Sequence, residues 1–501
     1  MSGGTRMTMS PGLSGRTAIA LTLLALLIGV LGDALLRGTP WGVNVVIWGI
    51  AVGAALMFVV RRAPPSLLVV LLLGEACLAM FIWRDTGFLQ FWAFMALLAA
   101  LSLVTAHAAG VSLAYIRIRD GLIAAIESAV RAASQAGVLL SRDIPWERWT
   151  RDGRWQRAPA TATGVLLAIP VILVFGGLLR SAEPQFAALT DRVFGWDFPT
   201  VVSHVALTGS LAWISAGYLH GLASRRPWMI EPPQMTGAPQ LRLPHIGIPL
   251  GVLALMLLVF AGIQAEYLFG GAETVLRTTG LTVAEYARRG FFELVTVATL
   301  VLALLLATYA AIDRSSVTTV RGYRLLSALL IALVGVVMAS ALVRMRLYVQ
   351  NFGLSEDRIY VTAFMMWVGA VLAWFAVTVL RERASRFAYG AVTAGFATIL
   401  ALGALNPHAL IVRTNLARAA AGHELDAEYL SRLSADAVPT IVSAWPTLDA
   451  STRCELRRGT LRPWADRLRS DWRSWNLSRW RARRAVATLE TPQCPDRRTD
   501  G

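Results

Sequence analysis

The residues able to do chemistry are few and scattered. Glu75 stands in the middle of the apolar run VVLLLGEACLAM. A carboxyl there must be protonated, paired or facing water, because burying it charged and alone costs several kcal/mol. It is either a relay for a proton or substrate, or a neutral acid bonded to a neighbouring helix. Asp33 lies near the end of another apolar run, within reach of water. His204 and His220 would sit about 24 Å apart along one helix, too far to share a metal, and His107 is isolated. No HExxH, paired CxxC or other zinc-like spacing occurs, so no metal and no cofactor is expected. Cys77 shares the run with Glu75 and reads as an inert thiol. Cys454 and Cys494 both lie near the end of the chain. In an oxidising compartment they can form a disulfide, worth about 4 kcal/mol in the chain-entropy model; in a reducing one both stay free. There is no lysine, so P-loop and Schiff-base lysine chemistry are absent, and arginine does not serve as a general base at ordinary pH.

The elements that must position these groups are apolar. In 501 residues, 56% are hydrophobic and 16% charged, with a formal net charge of +16 and a mean hydropathy of +0.56. A soluble protein carries about 25% charged residues, so the composition is that of a membrane protein. About eleven segments reach the roughly 20 apolar residues that a spanning helix needs. They are Thr17–Leu36, Gly42–Val60, Ser66–Trp83, Phe88–Ala109, Thr163–Leu179, Val201–Leu222, Ile248–Gln264, Leu294–Ile312, Leu325–Val343, Tyr360–Leu380 and Phe387–Leu405. The first is too long for a secretory signal and reads as an anchor. Arginines favour one set of connecting segments by about two to one, which orients the N-terminus to the cytoplasm. An odd number of spans then puts the C-terminal tail outside, and one miscounted span would reverse it. Most of the positive charge is thereby an orientation signal rather than a nucleic-acid footprint, and no nucleic acid is expected as partner.

Two stretches are not expected to span. Residues 111–160 form a long inner loop. Its front half has helical spacing, with Arg117, Arg119, Asp120, Glu127 and Arg131 on a polar face; its back half interleaves Trp146, Trp149 and Trp155 with arginines. It reads either as an interfacial helix on anionic lipid or as a solvated connector. The tail, 406–501, is punctuated as a set of short helices. Pro407 suits a helix start, Gly422 a stop, and Asp426 and Ser434 suit caps, with Asp436 in a first turn. Trp472, Trp475 and Trp480 stand among arginines, either in a helix lying on headgroups or as the core of the tail. The expected fold is all-α, a polytopic transmembrane helix bundle with a small C-terminal α-helical domain. Its parts are 1–110 (four spans), 111–160 (cytoplasmic amphipathic loop), 161–405 (seven spans) and 406–501 (tail). Gly49 and Gly53 form a GxxxG that suits close helix packing.

Several segments carry a resemblance. FAGIQAEYLFGGAETVLRTTGLTVAEYARRGFFELV at 260–295 resembles an uncharacterised family of bacterial multi-pass membrane proteins, known as a domain of unknown function. LLRSAEPQFAAL at 178–189, SALVRMRLYVQNFGLSEDRIYVTAFMMW at 340–367, NPHALIVRTNLAR at 406–418, LDAEYLSRLSADAVP at 425–439 and DWRSWNLSRWRA at 471–482 match it in order. Glu183 departs from the aspartate expected there. The resemblance covers roughly 163–490 and implies a bacterial cytoplasmic-membrane protein, with no activity attached.

On the expected topology the polar residues of these segments gather at the outer face. They are Glu183, Gln264, Glu266, Tyr267, Glu285, Tyr286, Arg288, Arg289, Glu293, Arg344, Arg346, Tyr348, Arg358, Tyr360 and Asn406. They form either a charge lattice that fixes helix ends and docks the tail, or a site for a ligand or partner. Arg344 and Arg346 are placed to pair with Glu266 or Glu293. Three function classes follow. The first is an envelope scaffold or accessory protein that binds membrane or envelope partners at the outer face, in contact with the lipid bilayer. The second is a proton-coupled small-molecule transporter using Glu75 and the outer cluster. The third is an outer-face enzyme with Glu285, Arg288 and Glu293 as acid, anchor and base.

Overall fold

The computed structural model describes residues 13–60, 63–146, 198–224, 241–279, 291–461 and 471–489, with isolated positions between, and over 264–279 the helix path alone. The fold is all-α and polytopic. Among the described residues the only pairing of strand type is one isolated bridge, Leu241 to Ile312. Long apolar runs leave little choice, since a helix satisfies every backbone group within its own segment. Ten helices among the described residues are long and apolar enough to cross a membrane.

The set of ten differs from the expected eleven. Of residues 163–179 all but 168, 175 and 179 lie outside the described residues. Ile118–Asp143, expected as part of a loop, is long and apolar enough to span. Phe198–Ala223 is helical throughout but is not one of the ten, because serines, threonines and two histidines dilute its apolar content.

The chain forms two compact units: residues 1–68, 101–111 and 122–231, and residues 69–100, 112–121 and 232–501. In the first, α1 (Gly15–Leu36) packs along α2 (Val43–Val60) and α6 (Phe198–Ala223). Two further helices, α3 (Pro65–Leu78) and α4 (Gly87–Ala108), and then α5 (Ile118–Val138), carry the chain between units. Part of the polar face of α5 is turned inward. Glu127 is 0% and Arg131 1% exposed, while Leu122 and Ile126 are 63% and 54% exposed. Arg131 Nε donates to Glu127 Oε2 at 2.8 Å and Nη1 to the Gly221 carbonyl at 2.8 Å. The expected polar face is thus split: Glu127 and Arg131 are buried because they pair with each other and with α6 backbone, whereas Arg117 and Arg119 are exposed.

This helix runs across α6 rather than alongside it. Arg131 and, beyond α5, Asp143 both meet the C-terminal end of α6, at Gly221 and His220, whereas Ala133 between them meets Trp213. The crossing is close: a Cβ on Gly217 would lie 2.4 Å from the Ala132 carbonyl oxygen.

The second unit has two cores. One lies among α7 (Leu243–Thr279), α8 (Phe291–Ala311), α9 (Val317–Phe352) and α10 (Glu356–Thr378), and includes Leu250, Leu305, Leu330, Val337 and Phe375. At 36 residues, α9 is about 54 Å long, well beyond the ~30 Å hydrocarbon thickness, so its ends project past it. The other core gathers Leu89 of α4, Ile359 of α10 and Leu402 of α11 (Phe387–Leu405) with the tail residues Ile411, Leu430, Val438, Ile441 and Leu456. The tail thus shares a core with membrane-helix ends rather than forming a separate one.

The tail helices are α12 (Pro407–Ala420), α13 (Ala427–Ser431), α14 (Val438–Ala444), α15 (Ala450–Leu456) and α16 (Leu477–Ala487). Asn406 caps α12 with Pro407 in its first turn, Gly422 follows its end at φ 90°, and Asp426 caps α13. Asp436 is not in a helical first turn; α14 begins beyond it, after Ala437. Asn476 caps the last helix, and Asp471 caps a separate turn at Trp472–Ser474. Trp472, Trp475 and Trp480 are exposed, so they are not the core of the tail.

Candidate site: a buried carboxylate at the root of the tail

A dense polar cluster in the second unit centres on Asp436, which is 3% exposed. The loop after the one-turn helix Met80–Trp83 supplies most of its partners. Arg84 Nη1 lies 3.4 Å from Oδ1; the Asp85 backbone N–H donates to Oδ2 at 2.7 Å and Thr86 Oγ1 at 3.1 Å. From the tail, Ser434 Oγ donates to Oδ2 at 3.2 Å, and Ser478 Oγ bonds Oδ1. A buried ion pair is tolerated when the remaining lone pairs are bonded, and here both oxygens have several donors.

The same loop is held from the other side. Asn476 Nδ2 donates to the Phe81 and Arg84 carbonyls at 2.7 and 2.8 Å, and Arg84 Nε to the Gly403 carbonyl at 2.6 Å. Arg479 pairs with Asp85 at 2.5 Å. Burial pushes the Asp85 carboxyl above the usual carboxylate range, against the pull of Arg479.

Next to Asp436 is a serine, histidine and glutamate in line. Ser434 Oγ lies 2.9 Å from His408 Nδ1, and His408 Nε2 lies 2.7 Å from Glu356 Oε1. The order resembles a hydrolase triad, but the bonding is different. The Ser434 backbone N–H donates to His408 Nδ1 at 3.0 Å, which occupies the one lone pair a general base would use. That assigns the proton to Nε2, donating to Glu356, and leaves the Ser434 hydroxyl to donate to Asp436. His408 is 4% exposed. The array joins α10, α12 and the segment before α14; it is not an activated nucleophile.

A second seam joins α12 to the turn between α9 and α10. Asn415 bonds the Leu354 N–H and carbonyl at 2.7 and 2.9 Å, and Arg418 Nε donates to the Gln350 carbonyl at 2.9 Å. Tyr429 OH accepts from the Glu356 N–H at 2.9 Å. Gly353, at φ 79°, makes this turn; a side chain there would be strained and would strike Asn415. Two of the segments singled out by sequence, QNFGLSEDRIY and NPHALIVRTNLAR, therefore pack against one another.

The expected outer cluster divides. Glu183, Glu285, Tyr286, Arg288 and Arg289 lie outside the described residues, as do the side chains of Gln264, Glu266 and Tyr267 on α7. Glu293 and Arg346 are exposed and Arg344 is buried; no ion pair joins Glu293 to either arginine among the described residues. Arg358 covers the Tyr348 ring at 4.1 Å and bonds the Phe352 and Gly353 carbonyls. Tyr360 is buried and stacks on Phe88 at 3.7 Å. Of the expected set, among the described residues, Asn406 alone lines the cavity beside Asp436. Arg84, Asp85, His408, Ser434, Asp436, Asn476 and Ser478 were not singled out as site residues. The visible signal was only that RDTG and LSADAVP place polar residues at the ends of apolar segments.

In the first unit the histidines are taken up separately. His204 Nδ1 lies 2.5 Å from Asp33 Oδ2, and Arg37 Nε donates to Asp33 Oδ1 at 2.8 Å. His220 Nε2 lies 2.7 Å from Asp143. Among the described residues no three histidine, cysteine or carboxylate side chains form a metal-binding group. Glu75 Oε2 is buried with no hydrogen-bond partner among the described residues. Cys77 is a free buried thiol and Cys454 is disulfide-bonded; Cys494 lies outside the described residues.

Fold and site together define an all-α polytopic protein whose terminal helices are bonded onto the ends of apolar ones. The chain belongs to the DUF4153 family, a domain of unknown function, whose model matches residues 67–444. That match begins well before residue 163, where the sequence resemblance began, and takes in Arg84–Thr86 as well as Asp436. It stops before Asn476 and Ser478. No curated protein and no solved structure matches the chain.

Proposed function

We propose that this chain is an envelope scaffold or accessory protein of a bacterial cytoplasmic membrane. Its tail is fixed at the outer face and presents a surface to membrane or envelope partners. The observation that carries this reading is the engagement of the polar groups around Asp436. Each joins one chain segment to another, and none is poised as a nucleophile or base.

Topology supports an outer tail. Three spans precede Arg84, and Arg84–Thr86 are bonded to tail residues. The loop and the tail therefore share a side, opposite to the start of α1, however many spans follow. Around the first three spans Arg6, Arg16, Arg61 and Arg62 stand on the side where α1 starts, against Arg37 and Arg84 on the other, which argues that α1 starts in the cytoplasm. The disulfide at Cys454 favours an oxidising compartment, and Cys494 is its proposed partner. The exposed Trp472, Trp475 and Trp480, with Arg484 4.6 Å over the Trp480 ring, suit a headgroup layer.

One observation favours a second reading, a proton-coupled transporter: the unpartnered Glu75 oxygen within an apolar helix. The enzyme reading gains no support, since Glu285 and Arg288 lie outside the described residues and Glu293 is exposed. Complementation of a deletion mutant separates the first two. A scaffold requires the seated tail, so Asp436→Ala fails to complement while Glu75→Gln restores function. The reverse pattern would overturn the scaffold reading in favour of transport.

A further inference from the structure

Beside Asp436 lies a cavity of about 190 Å³. Three arginines line it, Arg84, Arg413 and Arg481, together with Asn406, Thr440 and Ser478. Asp436 reaches its wall, yet its oxygens are engaged by Ser478, Thr86, Ser434 and the Asp85 N–H as well as by Arg84. Arg84 uses Nε on a carbonyl and Nη1 on Asp436, which leaves N–H groups to spare. Arg413 and Arg481 are exposed and make no hydrogen bond or ion pair among the described residues.

Three cations therefore face one carboxylate that is already bonded. Burial lowers the Arg84 pKa, and the neighbouring Arg481 charge lowers it further, against the pull of Asp436. Like charges gathered in a small cavity repel unless an anion sits among them. The positive end of the 14-residue helix α12 adds to the field, because its cap Asn406 forms part of the wall.

We propose that this cavity binds a phosphate group, either free phosphate or the headgroup phosphate of a lipid. Guanidinium forks match the oxygens of a tetrahedral phosphate and hold it by paired, charge-assisted bonds. At about 10–15 Å³ of such volume for one water, the cavity has ample room for a phosphate with a short ester stub. Arg84 follows the end of an apolar helix and Asn406 follows the end of α11, so the cavity lies at the level of helix ends, where lipid phosphates are found.

The test uses the full chain. Melting is followed in neutral detergent with inorganic phosphate against chloride at equal ionic strength. In a second arm it is followed in the same detergent with added short-chain phosphatidylglycerol against the matching diacylglycerol, which lacks the phosphate. Stabilisation by inorganic phosphate assigns the free ion, and stabilisation by the phospholipid alone assigns the headgroup. The Arg413→Gln, Arg481→Gln double variant weakens the responding arm by about tenfold or more. A second variant, Thr440→Asp, puts a carboxylate into the cavity and abolishes the response. The cavity depends on the seated tail of the proposed function. Melting and protease resistance without ligand, measured on every variant, therefore report loss of seating separately from loss of binding. No stabilisation in either arm, or equal stabilisation in seated variants, would overturn the proposal.

Discussion

Asp436 shows how much one side chain can hold when it is both buried and fully bonded. Removing one partner of such a pair leaves the other charge uncompensated and costs about 3–5 kcal/mol. Asp436→Ala and Arg84→Ala should each lower the melting temperature strongly. The double variant should lose little more than either single one, because both remove the same interaction. Additive losses in that cycle would mean that the two act independently. Asp449 offers a contrasting case at the tail surface. Hydrogen bonds from Ser451 and Thr452, then the Thr452 N–H, hold its carboxyl far below the usual carboxylate range. A depressed folded-state pKa means that its stabilisation is full above its ordinary value and disappears as pH falls through the folded one. As an N-cap of α15 it contributes about 1 kcal/mol. Asp449→Ala should melt earlier than wild type at neutral pH, and the two melting curves should converge on strong acidification. A gap that widens with acid contradicts this assignment.

Elements were legible where local chemistry decides them. Pro407, Gly422 and Asp426 mark helix ends in the sequence and do so in the fold, because caps and turns need only neighbours. Apolar runs became helices for an equally local reason. What sequence did not carry is which face of an element turns inward. The polar stripe of α5 looks solvated until Glu127 and Arg131 find each other and α6. Asp436 looks like a first-turn acid until Arg84, 352 positions away, meets it. Such meetings depend on non-local packing, which spacing along one chain cannot display. The α5–α6 crossing makes a prediction at this scale. Gly217→Ala forces a Cβ against the Ala132 and Arg131 carbonyls and should destabilise by about 1–3 kcal/mol. On the same helix, a Cβ at Gly209 meets nothing within 4 Å, so Gly209→Ala should be neutral or mildly stabilising. Equal effects of the two changes on melting would refute the close crossing.

For the whole molecule, the central proposal is that the terminal helices, bonded to the loop at Arg84, lie at the outer face. The seating rests on Asp436, the His408 array and the α12 seam, so the side of Arg84 decides the side of the tail. Span counting beyond residue 86, which sequence alone made decisive, no longer matters to that conclusion. The most direct test is thiol labelling with a membrane-impermeant maleimide, on intact cells carrying Cys77→Ala. The account predicts no label on the intact chain, and label at Cys454 and Cys494 from outside once an impermeant reductant is added. Label that appears only after permeabilisation would put the tail in the cytoplasm and contradict the account.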